Sequence, residues 1–468
     1  MDGSVESSLP ARAPPRMQFI VSSDTNKFDP VTRKLIRSHV MRGKKTKKPR
    51  AQVQARKPLA APVKLQDVVE TCAAVLPGRV GSDVSFVDFS DEVEPSLLLK
   101  MIKISPVVMR IIFPLMAAIG FQPDMRDSLY PLVYDAVTLH ITVFAIDGFL
   151  SRILLGEMDG LSPTAMMHLR KGLRLLQERL VGNDEERKIS DSTIGTVLKL
   201  AVTAHFDGEL EASKQHMEGL RRMVDLRGGM KVFEGTKLAV EIMRCDLSIA
   251  MLDDARPVFF SYPSGTIPQY PKRLLGDSNS KNCFNSANSD FAQTLNEDLA
   301  VAWQVMKTFC MLVNLGTQTQ RLIEPELIHQ TMASVIYRLL HLGFATSSLD
   351  ETYRIGLLTF SYHVFLQWQD IKFAHSQCAE KFRNHIKGVM SADNLSPDFI
   401  VWLLMTGTSA FFKVEDEVWL RESLREYAGK CNIRSWKDME NSLKSYMWIA
   451  LLDEKHGKEI FKLLRHLD

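Results

Sequence analysis

Apolar residues recur every three or four positions along most of the chain from about residue 65 to the end, and alternating strand patterns are rare. Ser162 and Pro163 open one such segment, as a helix N-cap and a residue suited to the first helical turn. The apolar residues that follow predict one stripe facing a core: Met166, Leu169, Leu173, Leu176 and Leu180. The pattern predicts an all-α fold, a single large body of stacked antiparallel helices.

Three other segments have clear helix signals. One apolar stripe ends at Gly228 and Gly229, after Leu210, Met217, Leu220 and Val224. Residues 237–252 are polar on only one narrow stripe, so we expect this helix to lie deep inside the body. That polar stripe consists of Lys237, Glu241, Arg244 and Ser248. Ser435 and Asp438 match a capping box, which precedes Met439, Leu443, Met447 and Leu451 and includes Trp436.

One long break interrupts the helical pattern. Arg256–Gln293 holds four prolines and a polar run, which predicts a loop, and loops of this length are usually functional or disordered. Aromatic residues in its first half predict packing on the body: Phe259, Phe260, Tyr262 and Tyr270. We expect residues 276–290 to be mobile.

The first 64 residues differ from the rest in composition. Asp29, Pro30 and Gly43 mark the start and the end of one short helix. The predicted organisation is a disordered leader at 1–16, a basic arm with this helix at 17–48, a linker at 49–64, and an all-helical regulatory body at 65–468 with the long loop at 256–293.

The charge is divided unevenly along the chain. The net charge is +3, but residues 1–64 hold fifteen bases and four acids, which is +11 and leaves −8 for the body. Eleven of these bases and no acid lie between Arg33 and Lys57. A basic arm on a mildly acidic body is typical of a segment that meets an import receptor, nucleic acid or an anionic surface.

Two sets of basic residues follow as candidate site residues. The residues predicted to bind an import receptor or to contact phosphate are Arg42, Lys44, Lys45, Lys47, Lys48 and Arg50. A second set on the short helix could face DNA: Arg33, Lys34 and Arg37. A nuclear import signal is the first interpretation, nonspecific phosphate binding is the second, and a merely solvated tail is the third.

Metal, membrane and export signals are missing from the sequence. The six cysteines are all more than a dozen residues apart, and the best metal cluster, His375, Cys378 and His385, has no evident fourth ligand. Charged residues and a proline interrupt the apolar stretches at 107–121 and 131–150, which disfavours a membrane span. The amino terminus lacks the apolar region of a signal peptide. We therefore expect no cofactor, no structural zinc and no membrane partner.

Enzyme signatures are equally scarce. Asp253 and Asp254 are adjacent, as in diphosphate-binding helical cyclases, but the third acid one turn later is missing, so we interpret them as the end of a buried helix. Nucleotide-binding and nucleophile motifs are absent. The alternative to a regulator is an enzyme with a hydrophobic helical pocket, under the loop at 257–275.

Several stretches resemble the fungal-specific transcription factor domain family, the helical regulatory domain of many fungal zinc-cluster activators. The likeness covers the arm and the front half of the body, in Phe19–Val21, Arg33–Lys45, Leu76–Val84, Phe86–Asp91, Met217–Gly229, Ile242–Leu247 and Pro257–Phe259. Beyond residue 295 only the helical character is similar.

This resemblance implies a nuclear transcriptional regulator, plausibly of a specialised metabolite pathway. The family's usual DNA reader holds two zinc ions with six cysteines near the amino terminus, whereas no cysteine here precedes Cys72. Either the arm contacts DNA directly, or a partner transcription factor does so. The target genes, any small-molecule effector and the oligomeric state stay open.

Overall fold

A computed structural model describes residues 89–94, 97–98, 115–116, 131–149, 162–260, 267–275, 295–368, 376–390 and 395–465. Helices make up 76% of this part of the chain, which contains no strand, so the all-α prediction is confirmed. All of these residues belong to one compact unit. The predictions for the leader, the arm, the linker and the mobile stretch at 276–290 concern residues outside these ranges.

Fourteen α-helices lie within the described ranges. They are α1 (Ala136–Gly148), α2 (Pro163–Val181), α3 (Glu185–Lys188), α4 (Asp191–Phe206), α5 (Leu210–Leu226), α6 (Lys237–Leu252), α7 (Glu297–Gln318), α8 (Pro325–His341), α9 (Leu349–Ser361), α10 (Gln377–Met390), α11 (Pro397–Ala410), α12 (Val418–Lys430), α13 (Trp436–Tyr446) and α14 (Ala450–Arg465). Short 3₁₀ turns occur at Met230–Phe233 and Lys272–Leu274, and a π-helical turn occurs at Tyr362–Leu366.

Two main hydrophobic cores organise the described helices. Helices α1, α2, α4 and α5 surround the smaller core, which α6 joins through Ile242, Cys245 and Ile249. The later helices build the larger core, to which α6 contributes Leu247 and Met251. Because α6 contacts both cores, most of its residues are buried, and its predicted deep position is confirmed.

One residue of the polar stripe of α6 is buried in the structure. Arg244, a member of this stripe, is buried and donates hydrogen bonds of 3.1 Å from Nε to the Phe365 carbonyl and from Nη2 to the Leu366 carbonyl. Those carbonyls belong to the π-helical turn, where the regular ladder is disturbed and backbone acceptors need another donor. The guanidinium of Arg244 therefore connects α6 to the larger core.

Asp246 fastens the start of the long loop to the body. Its carboxylate accepts hydrogen bonds from the backbone N–H groups of Val258 at 2.7 Å and Phe259 at 3.0 Å, and from the Tyr337 hydroxyl at 2.8 Å. Burial raises the pKa of Asp246 to about 7 despite these donors. Phe259 is buried in the smaller core, so the predicted packing of this part of the loop is confirmed.

The local helix signals near the chain end behave partly as predicted. Ser435 and Asp438 form the capping box at the start of α13. The apolar run after it does not belong to one helix, because residues 447–449 are not helical and α14 begins at Ala450. Met447 and Ile449 are nevertheless buried, so the interruption lies inside the core rather than at the surface.

Helix α7 is the one described helix that is long and apolar enough to cross a membrane. Half of its most apolar window is buried. Its buried residues, which include Trp303, Met306 and Phe309, pack in the larger core. Packing within the protein therefore accounts for its apolar composition.

Candidate functional site

All nine residues predicted as site residues lie outside the described part of the chain. They are Arg33, Lys34, Arg37, Arg42, Lys44, Lys45, Lys47, Lys48 and Arg50. Their roles in nuclear import or DNA contact stay predictions from the sequence.

The structure describes some of the residues considered for a metal site and for a diphosphate site. His375 is outside the described ranges, and His385 is buried with its Nε2 atom 3.0 Å from the Thr352 hydroxyl. Among the described residues, no group of three or more metal-ligating side chains is arranged to hold an ion. Asp253 caps the end of α6, as predicted, and its carboxylate lies 3.8 Å from the Lys214 ammonium, whereas Asp254 pairs with Lys381.

Helix α2 carries the most unusual polar arrangement in the described structure. Its buried residues are Ala165, His168, Gly172 and Leu176. The stripe predicted from the sequence is rotated from this face, so that Leu173 and Leu180 are each 41% exposed. The prediction is confirmed for Leu176, which is buried in the smaller core, and for Leu169, which packs against that core. It is wrong for Leu173 and Leu180, because a small residue and a histidine occupy the face toward α1.

Gly172 allows α1 and α2 to approach closely. A Cβ atom added at Gly172 would lie 2.6 Å from Cδ1 and 2.9 Å from Cγ1 of Ile141, well inside van der Waals contact. It would also lie 3.4 Å from the His140 Cβ atom. The absence of a side chain at this position brings the neighbouring histidines of the two helices within hydrogen-bonding distance.

His140 and His168 form a buried pair between α1 and α2. Their Nδ1 atoms are 2.8 Å apart, and the other ring nitrogen of His140, Nε2, lies 3.2 Å from Oδ2 of Asp91. The second oxygen of Asp91 accepts a hydrogen bond of 2.9 Å from the Lys171 ammonium. We call Asp91, His140, His168 and Lys171 the α1–α2 polar cluster.

The protonation of this cluster follows from its geometry. His140 donates from Nε2 to Asp91, so its Nδ1 accepts from His168 when both rings are neutral. Burial lowers the pKa of both histidines, which favours these neutral rings. The hydrogen bond from Lys171 is the main reason that the pKa of Asp91 falls to about 2. The cluster therefore holds a carboxylate and an ammonium at its surface end and neutral imidazoles inside.

A groove of about 610 Å³ runs beside the cluster along α2. The described residues that line it are Pro163, Met166, Met167, Arg170, Lys171 and Arg174. Lys171 belongs to both the groove and the polar cluster. Three cations beside two methionines make this wall suited to a ligand that combines negative charge with apolar groups.

Several other buried charged groups in the described structure form ion pairs and do not line this groove. Arg179 of α2 pairs with Asp135, the N-cap of α1, at 2.6 Å. The Nε2 atom of His363 lies 2.6 Å from Oδ1 of Asp453, and Arg354 pairs with Glu351 within α9 at 2.6 Å. The pairs of Arg179 with Asp135 and of His363 with Asp453 join different elements, which is a structural use of charge.

Reasoning from the sequence did not identify the α1–α2 polar cluster. Asp91 lies 49 residues from His140, and His140 lies 28 residues from His168, so no short motif joins them. The only local signal of the cluster is His168 four residues before Gly172 in α2, and this signal is weak.

No known protein family matches this sequence, and no characterised protein and no solved structure shows significant similarity to the chain. The likeness to the fungal-specific transcription factor domain family stays a prediction from the residues that carry it.

Proposed function

We propose that this protein is a nuclear transcriptional regulator whose basic amino-terminal arm carries its nuclear import signal or meets DNA, and whose helical body serves as the regulatory part. The observation that carries the proposal is the charge of the arm, with eleven bases and no acid between Arg33 and Lys57. A densely cationic segment suits recognition by an import receptor, and it also suits phosphate contact with release of counterions.

The body supports this assignment in two ways. Its described helices bury their ionisable groups mainly in pairs that join elements, as Asp135 does with Arg179 and Asp246 with Tyr337. Its net charge is opposite to that of the arm. A negatively charged body repels the DNA backbone, so any direct DNA contact falls to the arm.

The test replaces Lys44, Lys45, Lys47 and Lys48 by Ala in the full chain and follows both localisation and binding to genomic fragments over a range of salt. Loss of nuclear localisation with unchanged DNA binding identifies an import signal. Loss of DNA affinity with a shallower salt dependence identifies a DNA-contacting arm, because fewer counterions are released.

A matched control removes four exposed cations from the body instead, at Arg222, Lys231, Lys455 and Lys462. This control should leave both localisation and DNA binding unchanged. If the arm variant stays nuclear and keeps its DNA affinity, or if the control has the same effect as the arm variant, the proposed role of the arm is wrong.

The α1–α2 polar cluster favours one second candidate, an enzyme that uses the α2 groove. Lys171 joins a groove of ligand size to a carboxylate and two histidines, which is a titratable cluster beside a cavity. An enzyme of this kind would lose activity on a screened substrate when His168 is replaced by Gln, whereas a regulator would keep its DNA-dependent activity. The buried position of both imidazoles weighs against direct contact with a substrate.

A further inference from the structure

The outward face of α2 combines exposed apolar groups with several basic side chains. Met167 is 56% exposed, and the side chain of Arg174 is 65% exposed. Between Pro163 and Gln177 the helix contains bases but no acid, and Glu178 reaches Arg174 only at 3.6 Å. An exposed surface with both properties is typical of a site that another molecule covers.

One segment of the chain already binds to α2, and its composition indicates which ligands suit this helix. Residues 89–94 read Phe-Ser-Asp-Glu-Val-Glu, and this acidic segment lies against α2 through the hydrogen bond between Asp91 and Lys171. Phe89 and Val93 of the same segment pack on a small core that includes Leu139. One edge of the basic helix thus already binds a carboxylate presented next to apolar side chains, and the lining of the groove also combines cations with apolar side chains.

We propose that the α2 groove is a docking surface for an acidic, apolar-rich peptide segment of a partner protein. Arg170 and Arg174 would bind its carboxylates, and Met166 and Met167 would contact its apolar side chains, since methionine adapts to varied partners. Duplex DNA fits less well, because its backbone offers no apolar group to Met166 and Met167. This proposal goes beyond the proposed function and does not depend on a nuclear role.

The test measures fluorescence anisotropy of a short fluorescein-labelled peptide of alternating aspartate and leucine with the full-length protein. Because the basic arm also attracts acids, every measurement is made on the chain with Lys44, Lys45, Lys47 and Lys48 replaced by Ala. We expect saturable binding that weakens as salt rises. The double variant Arg170→Gln and Arg174→Gln should bind about tenfold more weakly, equivalent to about 1.4 kcal/mol.

Two controls test whether binding depends on the position of the positive charge and on the negative charge of the peptide. The variant with Arg222→Gln and Lys231→Gln removes the same charge from exposed positions elsewhere and should keep the affinity of its parent. A peptide with asparagine in place of aspartate should bind at least tenfold more weakly, and Met167→Ser should weaken binding severalfold. Circular dichroism and thermal melting check that each variant is folded.

Several results would overturn the proposal. These are absence of saturable binding to the arm-substituted chain, equal affinity of the Arg170 and Arg174 double variant and its control, or equal binding of the asparagine peptide. Displacement of the peptide by duplex DNA, with the same sensitivity to Arg170 and Arg174, would instead identify a phosphate-binding surface and would also refute a peptide site.

Discussion

The ion pair between Asp91 and Lys171 should hold the segment at 89–94 to the α1–α2 pair. We consider the variants Asp91→Asn and Lys171→Gln and their combination, which remove the charges with little change in shape. The amide oxygen of an asparagine at position 91 can still accept a hydrogen bond from His140. The coupling between the two substitutions therefore isolates the contribution of the ion pair.

The structure sets the expected size of this coupling. All partners together lower the pKa of Asp91 from 3.8 to about 2, which corresponds to at most about 2.5 kcal/mol. The side chains of Asp91 and Lys171 are 27% and 34% exposed, so solvent screens part of their attraction. We expect a coupling free energy of about 1 kcal/mol, at the upper end for partly exposed pairs.

Urea unfolding of the wild-type protein and the three variants at pH 7 gives this coupling. Because the pKa of Asp91 is lowered, its stabilisation is present above about pH 4 and is lost as the pH falls from about 4 toward 2. The matched pair is Asp254 and Lys381, which are 45% and 42% exposed and should couple by less than about 0.5 kcal/mol. If the Asp91 cycle gives no more coupling than this control, the pair does not hold the segment and the reasoning is wrong.

Two further predictions concern packing and pH. Gly172→Ala should lower the free energy of unfolding by about 1 kcal/mol, because the clash of the new Cβ with Ile141 outweighs the better helix propensity of alanine. Gly219→Ala should stabilise the protein, because nothing lies within 4 Å of its new Cβ. Equal urea midpoints for both variants would contradict this prediction. Burial lowers the pKa of His205 to about 4, so its contribution is complete above about pH 6.5 and declines as the pH falls to about 4. As the pH falls over this range, the melting temperature of His205→Gln should decrease less than that of the wild-type protein. Equal decreases for the two proteins would contradict this prediction.

Local signals in the sequence were sufficient for helix type and for several helix ends. Ser162 accepts the hydrogen bond from the Ala165 N–H at 3.0 Å that starts α2, and the capping box of Ser435 and Asp438 starts α13. Gly228 and Gly229 adopt positive φ after α5, as expected for residues that end a helix. These features depend on neighbours within a few residues, so the sequence contains all the information that they need.

The orientation of helices and the composition of the candidate site depended on tertiary structure. The period of α2 predicted an apolar stripe, but only packing against α1 decided that His168 and Gly172 face inward while Leu173 remains partly exposed. The sequence likewise placed Arg244 on a polar stripe, but only the disturbed ladder at Tyr362–Leu366 provides the buried acceptors for its side chain. Hydrophobic periodicity reports that a helix has two faces, whereas the choice of face is settled by the steric fit and hydrogen-bonding needs of residues far away in the chain.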